Sequence, residues 1–247
     1  MSDDLVVLHP RHVLCALGEG LDLDAIEALA EEAGFELDRE YSETEPDPRM
    51  PRAFEASLAR ASFEEGDWDA VEGHDSVAYL VSRQIFPFVA VDVARWTLEL
   101  TAKLLRSGVT AVKNESNGLT HGRERWLELA EGAAAQDKSV LPLYLALVKR
   151  PIADDGLYYS CGMHLLGQPD IEIAWDGEPD AAELARLIDG MALYMLTEER
   201  AEEMREGEGF RLSEDEPRWI ISRVECDRYE DDDIFFNPYG FWRLTPA

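Results

Sequence analysis

Apolar residues recur along this chain with two periods, alternation by two and recurrence by three and four, and each switch between them predicts a change from strand to helix. His12 to Leu17 reads as a first strand, closed by a turn at Gly18 and Gly20. A helix follows in which Asp24 and Glu27 satisfy exposed amide donors, Ile26, Leu29, Ala30 and Ala33 share one face, and Gly34 ends the turn. The run Glu43 to Pro51 holds three prolines among charges and reads as a loop. Ser76 to Ser82 is a strand, and Pro87 separates it from a helix capped by Asp92. Val93, Trp96, Leu100 and Leu104 form the apolar stripe of that helix, which Gly108 stops. Val109 to Lys113 returns as a strand, Asn114 to Gly118 as a polar loop, and Arg123 to Ala134 as a helix with Trp126, Ala130 and Ala133 inward.

The apolar run Leu141 to Lys149 reads as a central strand, followed by strands at Leu157 to Cys161 and Asp170 to Trp175. Asp180 and Glu183 open a helix whose stripe is Leu184, Leu187, Ile188, Met191 and Met195, ending near Thr197. The charged stretch Glu198 to Glu216 is a solvated connection, Arg218 to Glu225 a strand, Asp227 to Asp233 an acidic turn and Tyr239 to Leu244 a closing strand. Long helices between strands imply β-α-β units, whereas Leu141 to Trp175 implies adjacent antiparallel strands. The expected fold is therefore α+β, a mixed sheet with helices packed on it, in a single domain over 1–247 whose one plausible internal break is Glu43 to Pro51.

Charge then narrows the partners. The 247 residues include 23 Lys+Arg against 52 Asp+Glu, a formal net charge of −29, while 46% are hydrophobic. A chain of this length buries roughly 70–75% of its unfolded surface, so the charge does not preclude a core. A field this negative repels phosphate, and no basic run reverses it; nucleic-acid and membrane-surface partners are not expected. Only four of the cations are lysine, a bias that fits a GC-rich or salt-adapted bacterial origin. Three widely spaced cysteines (Cys15, Cys161, Cys226), a weak N-terminal apolar run at Leu5 to Leu8 and no span of about 20 apolar residues point to a cytoplasmic protein.

The stretch Tyr158-Tyr159-Ser160-Cys161-Gly162-Met163-His164-Leu165-Leu166-Gly167-Gln168-Pro169-Asp170-Ile171-Glu172-Ile173 ends a strand in Ser-x-Gly and enters an acidic alternating strand through a Gly-x-Pro turn. With SVAYLVS, the long helix after it and the Val109 to Gly122 strand and loop, it resembles the bacterial family catalogued as domain of unknown function 4261. The likeness spans roughly residues 70 to 245. It implies a fold and a bacterial origin, and assigns no reaction.

Candidate chemistry is sparse. Asp170 and Glu172 alternate on one strand face, about 7 Å apart, where they could share a cation or pair with arginine, or simply line a wet sheet face. Cys161 and His164 have the spacing of half a zinc site, but no second Cys/His pair is adjacent; His121 and Cys226 would have to converge on them. Asn114, Asn117, His121 and Arg123 gather where a loop gives way to a helix start, as an anion pocket or as caps. His9 and His12 are expected to be exposed, and His74 lies in an acidic loop. Phosphate-loop, dinucleotide, nucleophile-elbow and calcium-loop patterns are all missing, so no cofactor or metal is expected.

Two functions compete, with a bare scaffold or oligomerisation role behind them. One is a non-catalytic acidic module that binds a basic protein, such as an immunity-type inhibitor of a basic toxin enzyme, with Phe235, Phe236, Tyr239, Phe241 and Trp242 as contact anchors. The other is a metal-dependent or small-molecule hydrolase using Asp170, Glu172, His121 or His164, which requires those groups to converge in a pocket.

Overall fold

A computed structural model describes residues 9–59, 62–154, 156–174 and 180–247. The chain is α+β and forms two compact units, Arg11–Leu147 and a second built from Val148–Ala247. The proline-rich segment 43–51 lies inside the first.

In the first unit the order is β1 (Val13–Gly18), α1 (Leu23–Glu32), β2 (Phe35–Glu43), α2 (Met50–Glu55), α3 (Glu65–Glu72), β3 (Ser76–Ser82), α4 (Ala90–Arg106), β4 (Val109–Asn114), β5 (Leu119–Thr120), α5 (Arg123–Ala134) and α6 (Leu141–Leu147). The sheet runs β2-β3-β1-β4-β5, every pair antiparallel. Strand β3 therefore splits the β1-α1-β2 unit, which is the ferredoxin-like βαββαβ arrangement with α2 and α3 inserted between β2 and β3. Strand β1 is buried on both faces, which is why it reads as a continuous apolar run. Cys15 and Leu17 meet Met50, Phe54 and Val71 of α2 and α3, and the alternate residues Leu14 and Ala16 face the other way.

The second unit holds β6 (Lys149–Asp154), β7 (Leu157–Cys161), β8 (Asp170–Ala174), α7 (Ala181–Thr197), β9 (Gly209–Phe210), β10 (Trp219–Val224) and β11 (Phe241–Pro246). Its sheet runs β6-β7-β8-β11-β10-β9 and is mixed, because β8 and β11 are parallel while the other pairs are antiparallel. The stripe Leu184, Leu187, Ile188, Met191 and Met195 of α7 is buried as expected, and Asp180 caps it by accepting from the Ala182 N–H at 2.8 Å.

Several expectations are corrected. Leu141–Leu147 is a helix, not a central strand: the run holds leucine and alanine without a β-branched residue, and Pro142 fits a first helical turn. Helix α1 is capped by Asp22, two residues before Asp24, and both Asp24 and Glu27 instead reach Arg39. Gly34 keeps its expected role, with φ +77 just beyond the helix end. Helix α4 opens at Ala90 through a 3₁₀ turn at Pro87–Val89, so Asp92 lies in the first turn rather than at the cap. Trp96 belongs to the outer face with Asp92, Glu99 and Arg106 and is 50% exposed. Phe241 and Trp242 fill the core of the second unit and offer no contact anchors, whereas Phe235, Phe236 and Tyr239 are half-buried. Trp175, at the end of one expected strand, lies outside the described residues, as do Leu5 to Leu8.

Candidate functional site

Asn114, Asn117, His121 and Arg123 come together in the first unit, where their polar atoms hold the chain in place. The Asn114 Nδ2 reaches His12 Nδ1 at 3.0 Å and its Oδ1 accepts from the Ser116 N–H. Asn117 accepts from the Leu119 N–H and donates to the Leu147 carbonyl at 2.7 Å, and His121 Nε2 faces the Ala146 carbonyl at 3.2 Å, so both fasten the end of α6. The His121 ring meets Trp126 edge-on, with centroids 4.6 Å apart. Asp67 caps the Arg123 N–H at 2.8 Å, and the Arg123 guanidinium donates to the Val109 carbonyl. A side chain at Gly122 would overlap the Ser62 carbonyl and the Asp67 carboxylate, so glycine is required for this approach. His12 is fully buried rather than exposed, and His74 is buried between the Val71 carbonyl at 2.6 Å and the Asp47 N–H at 3.0 Å.

Asp170 and Glu172 belong to the second unit. Each is only 1% exposed, which replaces the wet sheet face with a buried one. Asp170 accepts from Ser160 Oγ at 2.7 Å, Asn237 Nδ2 at 2.7 Å and the Met163 N–H at 3.2 Å. His164, fully buried, has Nδ1 at 3.8 Å from the same carboxylate. Glu172 stands between Tyr159 of β7 and Arg243 of β11 in the sheet register, and ion-pairs with both Arg243 and Arg228. Arg228 in turn lies over the Tyr159 ring at 4.5 Å. No group of three or more His, Cys, Asp and Glu suited to hold a metal ion occurs among the described residues.

The thiols are placed for packing. Burial, reinforced by Glu115, pushes Cys15 up to about 12, and burial beside Asp170 holds Cys161 well above its ordinary 9.0. Since thiolate is the reactive form, a thiol reagent at mildly alkaline pH is expected to label half-buried Cys226 first, and Cys15 and Cys161 only on unfolding. Equal labelling rates for all three would contradict this. The Cys15 shift also sets a pH dependence. Above an ordinary value of 9.0 the unfolded chain loses a proton that the folded chain keeps until about 12. The Cys15 contribution to folding stability is therefore complete below pH 9 and is lost as the pH rises through that window, a share of up to roughly 4 kcal/mol. Urea titrations across the window measure it, and Cys15→Ala should make the decline shallower, leaving the part that Cys161 contributes.

A solvent-facing cleft of about 360 Å³ opens between β2, the start of α2 and the end of β4 in the first unit. A register shift between Asp38 and Glu43 in β2 turns Tyr41 outward, leaving it 65% exposed. The ring of Tyr41 meets that of Tyr79 edge-on, with centroids 6.5 Å apart. Glu40, Glu43, Asp47 and Glu115 line the cleft together with Arg49 and Lys113, so carboxylates outnumber cations. Both cations are already matched: Arg49 grips Asp47 at 2.7 Å and holds its carboxyl below the usual range, and Lys113 pairs with Glu115 at 2.7 Å. His74 pins the loop that carries Asp47. The arrangement offers a π face beside excess negative charge, which is chemistry for an organic cation. Sequence reading missed it, because Tyr79 looked like one more apolar strand position and Tyr41 was assigned to no element. The proline-rich run 43–51 was the available signal.

No family model, curated protein or solved structure matches this chain.

Proposed function

We propose that this protein is a non-catalytic acidic binding module for a basic protein, in the manner of an immunity-type inhibitor whose carboxylates occupy an enzyme site meant for phosphate. The cleft of Tyr41, Tyr79, Glu40 and Glu43 is the observation that supports this reading. It receives a lysine or arginine side chain of the partner, while the net charge of −29 steers the encounter. Cation–π contact contributes about 0.5–1 kcal/mol at an exposed ring and about 2 when water is excluded. The resemblance to domain of unknown function 4261 belongs to the same proposal and adds a bacterial setting without a reaction. The described residues contain no helix long and apolar enough to cross a membrane.

The test is calorimetric titration with an oligo-arginine peptide. Affinity is expected to fall about tenfold between about 50 and about 200 mM salt. Tyr41→Ala should weaken binding a further two- to fivefold, as loss of roughly 0.5–1 kcal/mol requires. A peptide bound equally well by Tyr41→Ala and Glu43→Gln, or with no response to salt, overturns the reading.

A further inference from the structure

The loop that forms one wall of the Tyr41 cleft is fastened to the fold by a histidine. His74 lies just beyond α3 and is 5% exposed, with Nδ1 at 2.6 Å from the Val71 carbonyl and Nε2 at 3.0 Å from the Asp47 N–H. A carbonyl can only accept and an amide N–H can only donate. One form of the ring makes both contacts together, the neutral one with its proton on Nδ1. Asp47 passes the constraint on: its carboxylate accepts from the Arg49 N–H at 2.9 Å and from the Arg49 guanidinium at 2.7 Å, and its carbonyl accepts from the Met50 N–H at 3.1 Å, where α2 begins. Both Asp47 and Arg49 line the cleft.

Charged groups reach the ring from three sides. Asp47, with Arg49 attached, comes from the loop ahead of α2, and Asp75 from the start of β3; both feel a charge on the imidazole. Glu19, in the turn after β1, lies beside Gly73. Asp69 and Glu72 of α3 are exposed. A protonated ring therefore meets carboxylates, although its present contacts suit only the neutral form.

We propose that His74 is a pH switch on the cation cleft: a proton taken from solvent at Nε2 turns the acceptor of the Asp47 N–H into a donor, releases the loop and weakens the hold on a cation. The inference rests on the cation-binding reading of the cleft and adds its regulation. In the charged form Nε2–H confronts the Asp47 N–H, donor against donor, while Nδ1–H keeps the Val71 carbonyl. The acceptor on the same residue is the Asp47 carboxylate, which Arg49 now grips. Taking it leaves Arg49 an unmatched cation at the cleft. Four carboxylates there (Glu40, Glu43, Asp47, Glu115) face two cations (Arg49, Lys113), so one added positive charge removes half of the excess that attracts a basic side chain. Histidine is the side chain whose charge ordinarily changes between about pH 5 and 8, above the range in which Glu40 and Glu43 would be neutralised as ordinary carboxylates.

The lock is read first without any ligand, by nitrogen-15 NMR of the full chain titrated from about pH 8 to about pH 5.5. At the alkaline end the His74 ring should show Nδ1 protonated and Nε2 bare. As the ring charges, the Asp47 amide should shift with it and lose exchange protection relative to its intrinsic rate. Oligo-arginine, whose charge is constant over this range, should bind about threefold or more weakly at the acid end at fixed salt, the order expected for one unit charge near the site. In His74→Gln, which accepts from the Asp47 N–H without titrating, that pH dependence should vanish. A ring that carries its proton on Nε2 or stays neutral throughout, or an Asp47 amide indifferent to the ring's charge, overturns the switch whatever the peptide does. So does an affinity that falls equally in His74→Gln. A peptide that binds at no pH sinks the proposed function instead, and the Asp47 amide still reports whether the lock opens.

Discussion

Glu172→Ala is expected to cost about 3–5 kcal/mol of folding free energy, because it leaves two guanidinium groups without the carboxylate that both pair with. The Arg228 side chain is 12% exposed and that of Arg243 34%, whereas the Glu172 side chain is 1% exposed. Arg228 has little room to withdraw, since its head is held over Tyr159 at 4.5 Å and Phe241 at 5.2 Å. Stabilisation is a statement about the pair, however, and not about each charge. Replacing all three side chains with apolar groups of matched volume would cost far less than removing the glutamate alone, since transferring the ions from water opposes most of their attraction. Hydrogen exchange reads the effect locally: amides of β8 and β11, which pair through Glu172 and Arg243, should lose protection by the same free energy. A loss below about 1 kcal/mol, the range of exposed pairs, would mean that both arginines reach water.

Asp170→Ala should destabilise the protein by about 3 kcal/mol or more. Three donors converge on this carboxylate from three places in the chain: Ser160 at the end of β7, the Met163 N–H in the 3₁₀ turn at Met163–Leu166, and Asn237 ahead of β11. All lie in buried surroundings, and a buried donor left unsatisfied costs about 1–3 kcal/mol. Asn237 Nδ2 retains the Gln168 carbonyl at 3.1 Å, so its penalty is partial, whereas the Ser160 hydroxyl, which accepts from the Ile171 N–H at 3.0 Å, loses the acceptor for its own proton. Asp170→Asn keeps an acceptor oxygen and should cost less than alanine. The experiment also separates the two functional readings. A carboxylate held for chemistry is typically strained, so its removal leaves stability unchanged or improved; one that ties a turn to two strands lowers it. A melting temperature unmoved by Asp170→Ala would return this residue to the list of reactive groups.

Local signals were the legible ones. The amphipathic stripe of α7 and the Asp180 cap are properties of a few neighbouring residues, and they hold in three dimensions. The same holds for strands β1, β3, β4 and β7. Errors arose where a local pattern supports two structures. Leu141–Leu147 is apolar without a period, so periodicity does not separate a buried strand from a buried helix; the lack of β-branched residues and Pro142 favour the helix, which packs against α5 and α4. Strand β2 (FELDREYSE) is an edge strand with most of its side chains in water, so it lacks the apolar alternation that marks strands covered on one side. Trp96 falls at helical spacing from Val93 and Leu100 and still faces outward, because spacing defines a stripe to within one position of its edge.

By itself, then, the sequence determined the class of fold, the acidic coat, and the helices and strands whose turns and caps are local chemistry. What the carboxylates do was decided only in the tertiary structure. Glu172 meets arginines 56 and 71 residues away and Asp170 an asparagine 67 away, while Tyr41 and Tyr79 are joined by a bulged edge strand. Such pairs carry no periodic trace, since two side chains so far apart along the chain become neighbours only when the strands between them have paired in one register out of many.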